Sequence, residues 1–317
     1  MRIIICKYIA LMGQFEKVCS INNLEENMSV KKEDCFEQAF NIWNSFKREV
    51  IYNNRFFAKH EILEFLRALS DKYKTVINKG TTLFRARIYS DDIDFLNYLN
   101  DNSNTEGCSE IEKLHMMFIK AVIEAKQKSG FWGYDELNSF APKDNDIVGE
   151  GRVNPSYIRY LYTAESEYTA LVEVRPYLGD IVSIAAIEVL EDISVIDFTV
   201  QNWNQKDDLE EYLIFLIMMD FSKPNKGDKK SYIPIQFISE YFKNLGFEGI
   251  RFNSSLHKYG KNITVFNIDK CKAINSKLYK VEEVCFESKC LAPKSHPSLI
   301  HPKLQPNLRQ LKSIQEP

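Results

Sequence analysis

At Asn78-Lys79-Gly80 the hydrophobic period of this chain changes, and that change decides what it can fold into. Upstream, Phe36, Phe40, Trp43, Phe46 and Val50 recur at three- and four-residue spacing, as do Ile62, Phe65, Leu66, Leu69 and Tyr73. That period lines apolar side chains along one face of a helix, and the glycine turn ends the second one. Downstream, residues 81–89 (TTLFRARIY) alternate with the period of two expected of a strand. A chain that begins in helices and then turns to strands has to bury two kinds of apolar face in one core.

The pattern beyond residue 89 predicts a helix over 110–127, with Ile111, Leu114, Phe118 and Val122 on its apolar side. Residues 129–156 are rich in Gly, Pro, Asn and Asp and have no period, which predicts a long loop of the kind that often binds something. Strands are expected over 157–163, 181–189, 194–198, 248–252 and 263–268, and helices over 165–174, 209–219 and 234–245. Six short strands with irregularly placed helices predict an α+β fold with a compact mixed sheet. Regular βαβ alternation is missing, which argues against a doubly wound sheet. The expected organisation is a helical N-terminal segment over 1–80, a second unit over 81–269, and a C-terminal strand and tail over 270–317. Five of the ten prolines lie between Pro293 and Pro317, so the tail is expected to be extended.

Composition narrows the function classes. There are 41 basic and 44 acidic residues, a formal net charge of −3, which lacks the strong positive field of a dedicated nucleic-acid binder. No apolar run has the ~18–20 residues of a membrane span. The seven cysteines are odd in number and contain no Cys-x-x-Cys, so they read as reduced thiols of a cytoplasmic protein. The N-terminal MRIIICKYIALMG is split by Lys7 and lacks a small-residue cleavage pattern, so a buried strand or helix turn is expected there. No metal site is expected: His60-Glu61 is followed by Glu64 where a zinc protease needs histidine, and Asp91-Asp92-Ile-Asp94 lacks a calcium-loop glycine. No phosphate loop occurs, and Gly149-Glu-Gly151 lacks the third glycine of a dinucleotide fingerprint.

Four segments hold most of the remaining polar density. Leu83-Phe-Arg-Ala-Arg-Ile88 places Arg85 and Arg87 on one strand face. Two adjacent guanidiniums repel unless they share an anion, and phosphate suits the bidentate fork; a solvated strand face is the plainer reading of this segment alone. Gly151-Arg-Val-Asn-Pro155 ends the long loop. Residues 160–176 (YLYTAESEYTALVEVRP) read as strand, turn and helix, and leave Glu173 at the apolar boundary of the helix. A carboxylate there is paired, with Arg175 or another arginine, or functional. Gly249-Ile-Arg-Phe-Asn-Ser-Ser255 is a strand running into a serine turn, followed by Asn262-Ile-Thr-Val-Phe-Asn267.

In this order and at these spacings, the segments over about 81–269 resemble the RES domain family, named for an Arg, a Glu and a Ser. The resemblance implies a fold like that of ADP-ribosyltransferase toxins. It also implies an enzyme that consumes NAD+ as substrate, with no cofactor, and often a toxin paired with a helix-turn-helix antitoxin. Carried onto this sequence, the family residues fall on Arg85, Arg152, Tyr162, Glu173 and Ser254, with Ser255 as the fallback for the serine. The resemblance implies a catalytic set of Arg85, Glu173 and Ser254. It implies substrate contacts from Arg87, Arg152, Asn154 and Tyr162. The helical segment before residue 81, the inserts around 90–150 and 200–232, and the tail depart from the small toxin form.

The implied chemistry suits these residue types. Nicotinamide leaves neutral, so no general acid is needed, and a carboxylate can stabilise the cationic ribose. Glu173 would serve there, with the arginines on the diphosphate or on inorganic phosphate as co-substrate, and Ser254 on a phosphate or a ribose hydroxyl. The alternatives are transfer of ADP-ribose to a macromolecule and a nucleotide-binding module without turnover. Neither a membrane nor nucleic acid is an expected direct partner.

Overall fold

The period change at Gly80 marks the passage from two helices into a sheet. The computed structural model describes residues 30–90, 109–199, 209–222 and 229–285. Helix α1 (Val30–Arg48) runs into a wider π-turn (Glu49–Asn53), and α2 (Glu61–Leu69) is capped by His60, whose ring accepts from Ile62 N. The three-four spacing read from the sequence is the buried face: Trp43, Phe46, Val50, Ile62 and Leu66 are all sealed from solvent. They share one core with α6 (Leu209–Ser222), α7 (Ile233–Asn244) and sheet residues Ile196, Ile250 and Phe252. Ridges of Leu, Ile and Phe from four helices therefore cover one side of the sheet.

Among the described residues that sheet has eight strands: β1 (Lys74–Ile77), β2 (Thr82–Ile88), β3 (Leu161–Ala164), β4 (Ile181–Val189), β5 (Ile193–Asp197), β6 (Gly249–Asn253), β7 (Lys261–Val265) and β8 (Cys271–Lys280). Their order is β1-β5-β6-β7-β3-β2-β4-β8. Every adjacent pair is antiparallel except β5 and β6, which makes the sheet mixed. The architecture is α+β.

Several expectations change. The segment over 1–80 is not wholly helical, because β1 forms the sheet edge beside β5. Its one buried residue, Ile77, carries no alternation that a sequence reading can catch. The expected divisions at 80 and 269 separate elements that share one core and one sheet. The chain divides instead into Met1–Glu282 and Glu283–Pro317, and of the second unit residues 283–285 are described. The expectations for residues 1–13 and for the proline-rich tail lie outside the described residues. Helix α3 (Glu110–Ser129) forms behind a Ser109–Glu112 capping box, but its expected core side faces outward. Ile111, Leu114 and Phe118 are exposed, while Ile119 and Ile123 pack on Tyr89 and Tyr134. The strand expected from residue 157 begins only at Leu161, because Tyr157 takes φ +69° and turns the chain. Among the described residues no helix is long and apolar enough to cross a membrane.

Candidate active site

The sheet splits in its middle. Strand β2 pairs with β4 along its whole length and β3 pairs with β7 along its whole length, but β2 and β3 meet only at Phe84 and Ala164. Backbone groups released by such a split need other partners. Arg85 supplies one, its Nη1 donating to the Tyr162 carbonyl at 3.4 Å. A cavity of about 520 Å³ opens at the split. Its walls are Phe84, Arg85 and Ala86 from β2, residues 162–164 from β3, and Ala170, Glu173, Val174 and Arg175 at helix α5 (Glu167–Glu173). Arg152, Tyr232, Phe252 and Asn262 complete it.

Glu173 ends α5, a helix started by Ser166, whose hydroxyl accepts from Thr169 N at 3.1 Å. Its Oε1 accepts two hydrogen bonds, from Ser254 Oγ at 2.6 Å and from Asn262 Nδ2 at 2.7 Å. Oε2 accepts none among the described residues. One oxygen is thus anchored and the other is left for the cavity. Arg175 forms no ion pair with this carboxylate, so the pairing considered from the sequence does not occur.

Ser254 differs from its expected role as a contact to phosphate or ribose. It is buried and does not line the cavity. Its proton goes to Glu173, and its oxygen accepts from Leu256 N at 3.1 Å and His257 N at 3.0 Å. A hydroxyl so occupied has nothing left for a ligand. Its geometry is that of a positioning residue for Glu173, and Ser255 makes no such contact. Asn262, which the sequence reading quoted only as the start of a strand, is the second anchor. The signal for it was its place in β7 opposite both Ala164 and Phe252.

The arginines divide likewise. Arg85 is half-buried, and its Nε is a buried donor without a partner. Burial first, and then the charge of Arg87, push its pKa down to about 10, against an opposing pull from Tyr162. The group stays cationic at neutral pH, and an orphaned buried donor invites an acceptor. Arg152 donates from Nη1 to the Phe221 carbonyl. Burial lowers its pKa, Tyr232, Glu173 and Tyr162 oppose that, and Arg175 adds to it. Arg87 leaves the cavity: Nη1 donates to the Asn138 carbonyl at 2.5 Å and the guanidinium lies 4.8 Å from the Tyr134 ring centroid. The expected shared anion between Arg85 and Arg87 is therefore not supported, because the second arginine has found a carbonyl and a ring instead.

Asn154 also proves to be structural. Nδ2 donates to the carbonyls of Gly149, Pro155 and Ile158, and Oδ1 accepts from Tyr162 OH at 2.7 Å. The tyrosine oxygen in turn accepts from Val153 N and Asn154 N at 3.0 and 3.2 Å. Burial raises its pKa to about 12, so it remains a phenol that donates. Gly151 fits because a Cβ there would stand 2.4 Å from Asn154 Oδ1 and 2.5 Å from Tyr162 OH. Gln236 Nε2 closes the set on the Gly151 carbonyl at 2.7 Å. The GRVNP segment is thus a latch that presents Arg152, while the Tyr162 ring lines the wall. Tyr232 and Arg175, both lining the cavity, were missed by the sequence reading as binding groups.

Three guanidiniums and one carboxylate around one cavity favour a ligand that is anionic overall and carries a local positive charge. No activated nucleophile is present in the wall, since the Ser254 hydroxyl is committed and His257 Nδ1 lies at 2.9 Å from Thr169 Oγ1.

The sequence profile described as "RES domain" matches residues 127–286, half of the chain. The matched span contains Arg152, Tyr162, Glu173, Ser254 and Asn262, and it starts beyond β2, leaving Arg85 and Arg87 outside. No curated protein matches. Among solved structures, the M. tuberculosis MbcT-MbcA toxin-antitoxin complex contains a chain similar to this one at 16% identity. The similarity covers 68% of this chain and 92% of that chain, with a TM-score of 0.34.

Proposed function

The chain belongs to the RES domain family, and from that premise we propose that it cleaves the nicotinamide–ribose bond of NAD+, with phosphate or water as acceptor. The observation that carries this reading is the state of Glu173: one oxygen anchored by Ser254 and Asn262, the other unpartnered, in a cavity whose other charged wall groups are guanidiniums. In the proposed reaction the C1′–N1 bond breaks and its electron pair leaves with nicotinamide. The ribose carbon becomes cationic, and the free Glu173 oxygen stabilises it without reorganising. An oxygen of phosphate or water then bonds to C1′, and a water acceptor releases its proton to solvent. Tyr162 and Phe84 supply ring surface for nicotinamide, and Arg85 and Arg152 hold the diphosphate through charge-assisted bonds.

Charge favours phosphate as acceptor. Three arginines exceed the two negative charges of a dinucleotide diphosphate, while Glu173 is matched to the nicotinamide end. One cation remains for a second anion. On the same family footing we infer a helix-turn-helix antitoxin as protein partner and a toxin-like role. The deciding experiment incubates the purified protein with NAD+, with and without inorganic phosphate, and weighs the products. ADP-ribose-1″-phosphate is the expected product, and ADP-ribose would make water the acceptor. A mass increase on protein would replace this reading by transferase activity. Unchanged NAD+ would reduce the cavity to a binding module.

A further inference from the structure

Arg175 occupies a backbone conformation that its own sequence disfavours. Its φ is +50°, in the left-handed region that a residue with a Cβ enters rarely, and Pro176 follows it. Proline steers the residue before it toward extended backbone, so the strain has two sources. The turn is held from both sides. Arg175 N donates to the Val172 carbonyl, and Tyr177 N donates to Asp180 Oδ2 at 2.7 Å. Gly179 N donates to the Val281 carbonyl, and Val281 N returns a bond to Asp180, both at 2.9 Å. Glycine would relieve such strain, yet an arginine stands there. Its side chain is exposed, lines the cavity and has no hydrogen-bond or ion-pair partner among the described residues. Glu173, two residues away, is engaged by Ser254 and Asn262 and does not neutralise it. Strained residues without a local structural reason cluster where a ligand needs them.

We propose that Arg175 is a substrate-contacting residue that, together with Arg152, takes one phosphoryl group in the cavity. Arg152 is fixed by the Phe221 carbonyl at the wall, and Arg175 approaches from the rim, so an anion between them meets one rigid and one adaptable guanidinium. The phosphoryl group comes from a nucleotide diphosphate or from free inorganic phosphate. This assignment rests on the proposed NAD+ chemistry for its biological meaning, but not for its test.

The test measures calorimetric binding of ADP and of inorganic phosphate, and melting temperature, for the full chain and for Arg175→Gly, Arg175→Gln and Arg175→Lys. The expected result is that the glycine variant melts no lower than the parent, since glycine tolerates the positive φ. It should bind whichever probe the parent binds roughly ten- to hundredfold more weakly, the loss of one charge-assisted contact. Glutamine, which leaves the strain in place, should lose the same amount, and lysine should recover part of it. A loss confined to ADP assigns the contact to the diphosphate, and a loss confined to phosphate assigns it to the free ion. Undiminished affinity in both the glycine and glutamine variants, or no binding of either probe by the parent, overturns the proposal. Arg175-dependent ADP binding without NAD+ turnover would leave this inference standing and remove the proposed function. NAD+ turnover by the parent with ADP and phosphate affinities undiminished in the Arg175 variants would do the reverse.

Discussion

At the scale of single residues, Glu173 carries the sharpest expectation. In Glu173→Gln the amide oxygen can take the place of Oε1 and still accept from Ser254 and Asn262. The amide NH2 then replaces Oε2 and presents a donor where a negative charge is required. Stability and NAD+ affinity should hold, while kcat falls on the order of 10²–10³-fold. Near-normal turnover per folded molecule would remove Glu173 from the mechanism. Arg85 gives a pH expectation of definite sign. Its pKa is lowered in the fold, so the unfolded chain holds that proton more tightly. Below about pH 10 the guanidinium is charged in both states and the penalty of burying it is fully present. Stability on its account rises only as pH climbs from about 10 toward the unfolded value. Anion binding has the opposite sign: ADP affinity should be flat from about pH 8 to 9, where its terminal phosphate is fully ionised, and weaken as the guanidinium charge is lost above. A calorimetric series that already declines within that range would assign the charge to another group. The family resemblance carried Arg85, Arg152, Tyr162 and Glu173 onto this sequence as candidates, and all four line one cavity. Arg87, Asn154 and Ser254 make hydrogen bonds within the fold rather than the ligand contacts expected of them, for a common reason. A sequence tells which face a side chain occupies, but not which carbonyl or carboxylate will take its hydrogen bonds.

At the scale of elements, the latch formed by residues 151–155 on β3 couples folding to the cavity. In Gly151→Ala the new methyl would press on Asn154 Oδ1 and Tyr162 OH, the two atoms that hold the latch shut. Overpacking of this kind costs about 1–3 kcal/mol. The larger effect should fall on affinity, because Arg152 rides on the same turn. We expect a lower melting temperature together with a raised KM for NAD+, and an unchanged KM would show that Arg152 is positioned independently of the latch. Helices with two well-formed faces were readable from period alone, as α1 and α2 show. Period failed where an element lacked a buried face to reveal it. The edge strand β1 has one buried residue, and the apolar side of α3 is largely exposed. The split between β2 and β3, which makes the cavity, leaves no mark on either strand's alternation, since it is a property of their pairing.

At the scale of the whole molecule, the helical extension is joined to the site through α6. Trp43 Nε1 and Lys47 Nζ both donate to Asp220 Oδ2, at 2.9 and 3.2 Å. The next residue is Phe221, whose carbonyl receives Arg152 and whose ring is fully buried in the core that α1 and α2 complete. A fragment beginning at Lys74 would keep every strand, the whole profile match and every cavity residue. It would also lose Trp43, Phe46, Val50, Ile62 and Leu66 from the face of α6 and α7. Each large core side chain removed costs about 2–5 kcal/mol, against a typical total stability of about 5–15 kcal/mol. The fragment should therefore lack a cooperative melting transition and bind no ADP, although none of the described residues it deletes lines the cavity. A fragment that melts cooperatively and turns over NAD+ at the parent rate would show that the extension is an independent attachment. In that case the Asp220 contacts would have no bearing on Arg152. The single change Asp220→Ala separates the two arguments, because it leaves every core side chain of the extension in place and deletes the contacts of Asp220 to Trp43 and Lys47. If α6 transmits the position of Arg152, this variant should stay folded and show weaker NAD+ binding with kcat retained. If the extension matters only as core, its binding should equal that of the parent.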